Sequence, residues 1–270
     1  MKDDRRVLKY SDIDLSRWKE YKDIITDSLW IIKSRQNTNG HRLDYHGNFI
    51  PQIANQTFRR YTKENDIIVD WFLGSGTSAI EAVNLNRRLI GVELRPDLVE
   101  RVKSKLPQEV LGKRIHLIEG DSTQQSTKDA VRKTLQEMGA DNAQLVILHP
   151  PYGNIIKFSN MDADLSNSSN TESFLKGFCL VAHNAYDILQ KDRFAVLVIG
   201  DKYAGGELDP LGFKCMQVMM DVGFRLKSIV VKNIEGNEKG KGPTNNLWRY
   251  RALAGGFYIF KHEYVMIFRK

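Results

Sequence analysis

A chain of 270 residues can bury one large core with room for a small appendage. Its 41% hydrophobic and 27% charged fractions are those of a soluble globular protein, and no apolar run nears the ~20 residues a membrane helix needs. A net charge of +7 counts against a small-molecule substrate and favours a polyanionic partner, nucleic acid before others.

The N-terminus, Met1-Lys2-Asp3-Asp4-Arg5-Arg6, lacks the apolar centre of a signal peptide. Cys179 and Cys215 show no metal-ligand spacing and read as reduced core residues of a cytoplasmic protein. Residues 1–45 scatter Tyr10, Trp18, Tyr21 and Trp30 among charges, with one periodic apolar stretch, Ile24 to Ile32. They are expected to form an N-terminal extension of one or two short helices packed on the main domain, 46–270. His41 and His46 share a loop with no third ligand nearby, so no metal site is expected. A helix is expected from Pro51 to about Tyr61.

From Asp66 the pattern turns regular. Ile67–Trp71, Leu89–Glu93, Ile115–Ile118 and Gln144–Leu148 read as buried strands, separated by helices near 78–86, 96–106 and 128–138. After a polar loop, 159–173, come a helix (174–189), a strand (194–199), a helix ended by Gly223, a strand (226–232), a Gly/Lys/Asn loop (235–246) and a last strand (264–268). Strands alternating with helices imply an α/β fold with a doubly wound, mostly parallel sheet whose final strand is antiparallel.

Three stretches carry chemistry. Asp70-Trp71-Phe72-Leu73-Gly74-Ser75-Gly76-Thr77 leaves a strand through two glycines into a helix, where backbone and ligand can approach closely. The third glycine of a dinucleotide fingerprint is missing, which makes a nucleotide-binding oxidoreductase remote, and no Gly-Lys-Ser/Thr follows as in a Walker loop. Glu93 closes the next strand, a place suited to a ribose diol, and Asp121 with Ser122 follows the third. Leu148-His149-Pro150-Pro151-Tyr152 ends the fourth strand on two prolines, which stop it and present a polar side chain and an aromatic ring at its carboxyl end.

These motifs resemble the S-adenosylmethionine-dependent amino methyltransferases that modify exocyclic nitrogens of adenine or cytosine in DNA. Asp70–Thr77 is similar to their cofactor motif, and His149-Pro150-Pro151-Tyr152 to their Asp/Asn/Ser-Pro-Pro-Tyr/Phe motif. His46-Gly47-Asn48-Phe49-Ile50-Pro51 with Arg60-Tyr61 resembles the segment that closes over the methionine end of the cofactor, and His262–Phe268 resembles the closing strand. The resemblance covers roughly residues 45–270. It implies a Rossmann-like methyltransferase fold with a seven-stranded sheet and S-adenosylmethionine as cofactor.

It also implies roles. His46, Phe49, Pro51, Phe72, Gly74, Gly76 and Thr77 would line the cofactor, and Asp70 would hold the loop or the methionine amino group. Glu93 would take the ribose hydroxyls, and Asp121 with Ser122 the adenine. Tyr152 would stack on a base flipped from the duplex, while the His149 side chain and the Pro150 carbonyl, at the rigid turn continued by Pro151, accept hydrogen bonds from its amine. Histidine replaces an oxygen acceptor here and can accept only as neutral imidazole, so the methylation rate is expected to fall as pH drops through about 6.5.

Adenine N6 is favoured. Cytosine N4, RNA or protein glutamine as substrate, and a non-catalytic DNA-binding subunit, remain alternatives. DNA recognition is expected from the N-terminal extension, from loop 157–173, from 233–257 or from a partner such as a second copy or a specificity subunit; restriction-modification is the expected setting. Candidates for substrate contact are Lys157 and Phe158, just after the catalytic loop. Lys239, Lys241, Arg249 and Arg251 join them because they are interleaved with Trp248, Tyr250 and Phe257.

Overall fold

The continuous Val/Ile/Leu runs become the centre of one sheet because both of its faces are covered, leaving no reason for polar alternation. The computed structural model describes residues 8–38, 41, 48–153, 155–204, 206–234 and 245–270. Strands β1 (Leu29–Trp30), β2 (Ile67–Asp70), β3 (Arg88–Glu93), β4 (Ile115–Glu119), β5 (Ala143–Leu148), β6 (Leu189–Ile199) and β9 (Arg225–Asn233) run parallel, and β10 (His262–Arg269) is inserted antiparallel between β6 and β9. The order across the sheet is β1-β9-β10-β6-β5-β2-β3-β4.

Alternation along the strands divides the core. Ile68, Leu89 and Val196 face α1 (Pro51–Tyr61), α2 (Thr77–Asn84) and α3 (Pro96–Lys105) through Phe58, Ala79 and Val102. Val69, Ile90 and Val146 face α4 (Gln125–Glu137), α5 (Thr171–Ile188) and α6 (Leu211–Val222) through Leu135, Phe178 and Met219. Pro51 and Pro96 open their helices, where no N–H is needed, and Gly223 ends α6 at φ 119°. The architecture is therefore the doubly wound, Rossmann-like sheet expected, with the antiparallel last strand.

Four details differ from the sequence reading. The sheet has eight strands rather than seven, because Leu29–Trp30 adds to its edge beside Val231 and Lys232. The same residues sit in the stretch expected as a helix. Leu29 and Ile31 are exposed while Trp30 between them is buried, a two-residue period that suits a strand, and the only helix among described residues 8–38 is the 3-10 helix Leu15–Glu20. A hairpin, β7 (Lys202–Ala204) and β8 (Glu207–Asp209), follows β6. Helix α7 (Asn245–Gly255) occupies part of the region read as loop, whereas 235–244 lies outside the described residues.

The described start of the chain braces the amino edge of the sheet. Ser11 Oγ donates to Arg59 O at 2.8 Å, and Arg87 Nη2 and the Glu64 amide both reach Asp12 Oδ2, at 2.7 and 2.8 Å. Tyr10 packs edge-on against Phe194. From β1 the chain then passes to the carboxyl edge. There the Ile32 amide donates to Asn233 Oδ1 at 2.7 Å, and Arg35 Nη1 donates to Phe49 O at 3.1 Å just before α1.

Candidate active site at the carboxyl edge of the sheet

The glycine loop is held from inside. Asp70, fully buried, accepts from the Phe72 amide at 3.0 Å and from the Ser78 hydroxyl. Both its oxygens serve the loop, the first of the two roles the resemblance allowed. Burial pushes its carboxyl up to about 6 against the pull of those bonds. Leu73 N bonds Val92 O at 2.9 Å, and Leu73 fills the space that a side chain at Gly91 would need. Gly76, at φ 87°, caps α2; a Cβ there would stand 2.8 Å from Val102 Cγ1, so the position requires glycine twice over. Among the described residues no side chain caps the N-terminus of α2, and Thr77 is its buried first residue.

Glu93 stands beside this loop. Its Oε2 accepts from the Gly74 amide at 2.8 Å and its Oε1 from the Arg95 amide at 3.0 Å. Each carboxylate oxygen keeps a further lone pair, which is what a vicinal diol needs. Burial raises this carboxyl to about 7, and the two amides and the Arg95 charge oppose the rise. Asp121 turns Oδ1 to Thr123 N and Oγ1 (2.9 and 2.8 Å) and Oδ2 to Gln124 Nε2 at 3.1 Å. The Ser122 hydroxyl is committed to Trp71 O at 2.5 Å, so it secures the loop rather than offering a donor outward. Acids at the ends of three neighbouring strands, a twice-constrained glycine and an uncapped helix start fit S-adenosylmethionine, which these residues would hold.

The His149-Pro150-Pro151-Tyr152 loop lies next to it, since β5 and β2 are neighbours and Trp71 N donates to Ile147 O at 3.1 Å. The His149 ring is partly buried between Phe49, edge-on at 5.2 Å between centroids, and Tyr152, edge-on at 5.8 Å. Burial drives its pKa down to about 4, against the Glu263 carboxylate and with the help of Lys232. His149 is therefore neutral throughout the physiological range, so an acceptor role for it would no longer place a fall in rate near pH 6.5. Tyr152 donates to Glu263 Oε2 at 2.8 Å, and Lys232 Nζ holds the other oxygen, Oε1, at 2.8 Å. Glu263 and Lys232 are register partners on β10 and β9.

The segment before α1 joins the two loops. Asn48 bonds the Ser75 hydroxyl through its amide nitrogen, and Phe49 reaches His149. Pro51 is the buried first residue of α1, and Phe72 packs against the core. His46 lies outside the described residues. His41 is buried with its Nε2 2.8 Å from Glu81 Oε1, a structural pair, and no metal-binding cluster occurs among the described residues.

Around the mouth, Lys157 is exposed behind Ile155 (53% exposed) and Ile156 (48%), while Phe158 is partly buried and its carbonyl accepts from Arg95 Nη1 at 2.9 Å. The loop that follows is internally bonded: Asn167 Nδ2 donates to Met161 O at 2.8 Å and Ser159 Oγ to Asp164 Oδ2 at 2.7 Å. Helix α7 presents Arg249, Tyr250, Arg251 and Leu253 outward, with Arg251 over the Trp248 ring. Its carboxyl end is tied to the site edge through Tyr203, which packs on Phe257 at 4.9 Å and donates to Tyr258 O at 2.9 Å. Lys239 and Lys241 lie outside the described residues. Asp201 accepts from Gly212 N (2.8 Å) at the start of α6 and from Tyr264 OH (2.9 Å), a helix-capping role.

Sequence reading missed Glu263, Lys232 and Gly200, whose Cβ would stand 2.9 Å from the Tyr152 ring. The available signal was a charge at the end of a short apolar run in each strand, Ile229-Val230-Val231-Lys232 and Glu263-Tyr264-Val265. Which residues such charges meet depends on a register that no local pattern encodes.

A family model described as DNA methylase matches residues 2–104, which include the glycine loop and Glu93 and stop short of the His149-Pro150-Pro151-Tyr152 loop. The chain is similar to two type II methyltransferases. M2.DpnII of Streptococcus pneumoniae is 30% identical over 113 residues, 40% of each chain, and M2.LlaDCHI of Lactococcus lactis subsp. cremoris is 31% identical over 110 residues, 39% of each. The matched stretch thus spans about two fifths of these relatives' own length. In fold it is similar to TrmN from Thermus thermophilus (TM-score 0.50, 13% identity, 83% of this chain and 50% of that one) and to the [4+2]-cyclase SpnF (TM-score 0.52, 11% identity, 82% and 81%). No described helix is long and apolar enough to cross a membrane. The DNA methylase match and the matches to the two type II relatives each cover about two fifths of this chain, which carries a Rossmann-like fold.

Proposed function

We propose that this chain transfers a methyl group from S-adenosylmethionine to the exocyclic amine of a base flipped out of DNA, with adenine N6 as the target. The observation that carries the reading is adjacency. The diol-suited Glu93, the glycine loop and the His149-Pro150-Pro151-Tyr152 loop sit on neighbouring strand ends, with Phe49 and Asn48 spanning them. Adenine is the finer part of the proposal and rests on the Pro-Pro-Tyr loop.

Bound cofactor supplies an electrophilic methyl group on a sulfonium, so positioning contributes most of the rate. Neutral His149 and the Pro150 carbonyl accept the two amine protons as hydrogen bonds, which turns the nitrogen lone pair out of conjugation with the ring. Tyr152 offers its face for stacking. The exposed Ile155, Ile156 and Lys157 and the exposed arginines and aromatics of α7 would supply apolar and cationic surface for the strand from which the base leaves. The net charge of +7 supports the same reading.

A non-catalytic DNA-binding subunit is the second reading, because histidine stands where an oxygen acceptor is usual. One assay separates these: incubation with isotope-labelled cofactor and a mixture of DNA and RNA, then nucleoside mass spectrometry. Labelled N6-methyladenine in the DNA is expected, and labelled N4-methylcytosine would change the base. Label confined to RNA, or no label from protein that binds cofactor in calorimetry, would overturn the proposal.

A further inference from the structure

Glu263 and Lys232 are both buried, oppose each other across β9 and β10, and end on the catalytic tyrosine. A buried ion pair is expensive to desolvate and adds little stability compared with an apolar pair, so its place beside the reacting loop calls for another explanation. Hydrogen-bond arithmetic supplies one. Tyr152 has a single proton, and its oxygen lies 2.8 Å from Glu263 Oε2 but 3.4 Å from His149 Nε2. A bond to a carboxylate is shorter and roughly twice as strong as a neutral one, so Glu263 takes the proton. The phenol oxygen can then act toward His149 only as an acceptor, and His149 must hold its own proton on Nε2. Its Nδ1 is left with a lone pair.

We propose that Glu263, anchored by Lys232, is a positioning residue that sets the His149 tautomer through Tyr152, so that Nδ1 is the atom that accepts the target amine. Histidine thereby replaces an oxygen acceptor without depending on chance tautomerism. This rests on the amine-methylating reading above for the use of Nδ1, while the tautomer itself can be measured without any substrate.

The test is nitrogen NMR of the histidine rings at pH 7 in the full chain, with His149 assigned by its loss in His149→Asn. Wild type should show a protonated Nε2 and an unprotonated Nδ1. In Glu263→Gln, Lys232 will hold the amide oxygen and turn the NH2 toward Tyr152. The phenol then accepts from that amide and donates to His149, and the tautomer should invert. Methyl transfer should fall by about 10²-fold or more in kcat with KM for DNA little changed, the order expected when a ring is held in the wrong tautomer. Tyr152→Phe removes the link and should leave both tautomers populated, which keeps the test alive if Glu263→Gln does not fold.

A wild-type ring protonated on Nδ1, or an unchanged tautomer in the variants that fold and bind cofactor, would overturn the proposal. Tautomers that respond as stated in a protein that methylates no DNA would instead overturn the DNA reading and leave this one standing.

Discussion

The phenol of Tyr152 donates to Glu263 Oε2 at 2.8 Å while its ring stands edge-on to His149, so the tyrosine proposed to stack on a base is fixed at its tip by β10. Its ring also lies against Gly200 at the end of β6, where an added Cβ would stand 2.9 Å from Cε2.

Gly200→Ala should therefore act on the tyrosine alone. The backbone at Gly200 is not left-handed, so the cost falls on the displaced ring. Methyl transfer should fall by about 10- to 100-fold, as for other small misplacements of reacting groups, while cofactor affinity in calorimetry stays at the wild-type value. A parallel loss of cofactor binding would mean that the glycine supports the cofactor loop instead.

The pH dependence should divide between two groups. With its pKa lowered to about 4, His149 remains neutral, and the single-turnover rate at saturating cofactor should be flat from about pH 5.5 to 8. Glu93, raised to about 7, is largely protonated at pH 6 in the free protein. A ribose diol binds the ionised form better, so cofactor affinity should be about tenfold weaker at pH 6 than at pH 8, with one proton released per cofactor bound near pH 6. Calorimetry in buffers of different ionisation enthalpy reads that proton directly. Glu93→Gln should bind weakly at both pH values and release none.

Stability should carry the histidine's signature too. His149 has a folded pKa below its unfolded one, so its neutral form contributes stability that is complete above about pH 6.5 and lost as pH falls through about 4. Asp70, raised to about 6, has the opposite sign: its charged form costs stability as pH rises through 6. Denaturant unfolding of His149→Leu against wild type should show a stability difference that shrinks to the variant's advantage between pH 6.5 and 4. A constant difference across that range would show that the ring is solvated.

Most of the sheet was legible because its strands are buried on both faces, so Ile67–Asp70 and Leu145–Leu148 announce themselves by composition alone. The glycine loop and Glu93 were legible because each role needs one residue type at a strand end. What escaped depended on distant pairing. Leu29–Trp30 becomes a strand only because β9 offers it an edge, and Lys232 meets Glu263 only through the β9–β10 register. Ser122 shows the converse: a polar residue well placed for a ligand is turned inward by the Trp71 carbonyl 51 positions earlier.

Arg249 and Arg251 on α7 are exposed, and Arg251 is braced on Trp248. If this face follows the DNA backbone, Arg249→Ala and Arg251→Ala should each weaken binding to all sequences alike and reduce the slope of log affinity against log salt by about 1. Fluorescence anisotropy over a salt series checks this, and an unchanged slope in the double variant would place DNA elsewhere.

The most direct measurement is the single-turnover methylation of one DNA by wild type, His149→Asn and His149→Leu, with the product read by nucleoside mass spectrometry. An acceptor role predicts that asparagine keeps the rate within about tenfold of wild type, whereas leucine, which can accept nothing, loses about 10²-fold or more, with cofactor affinity equal in all three. Leucine at the wild-type rate would contradict it.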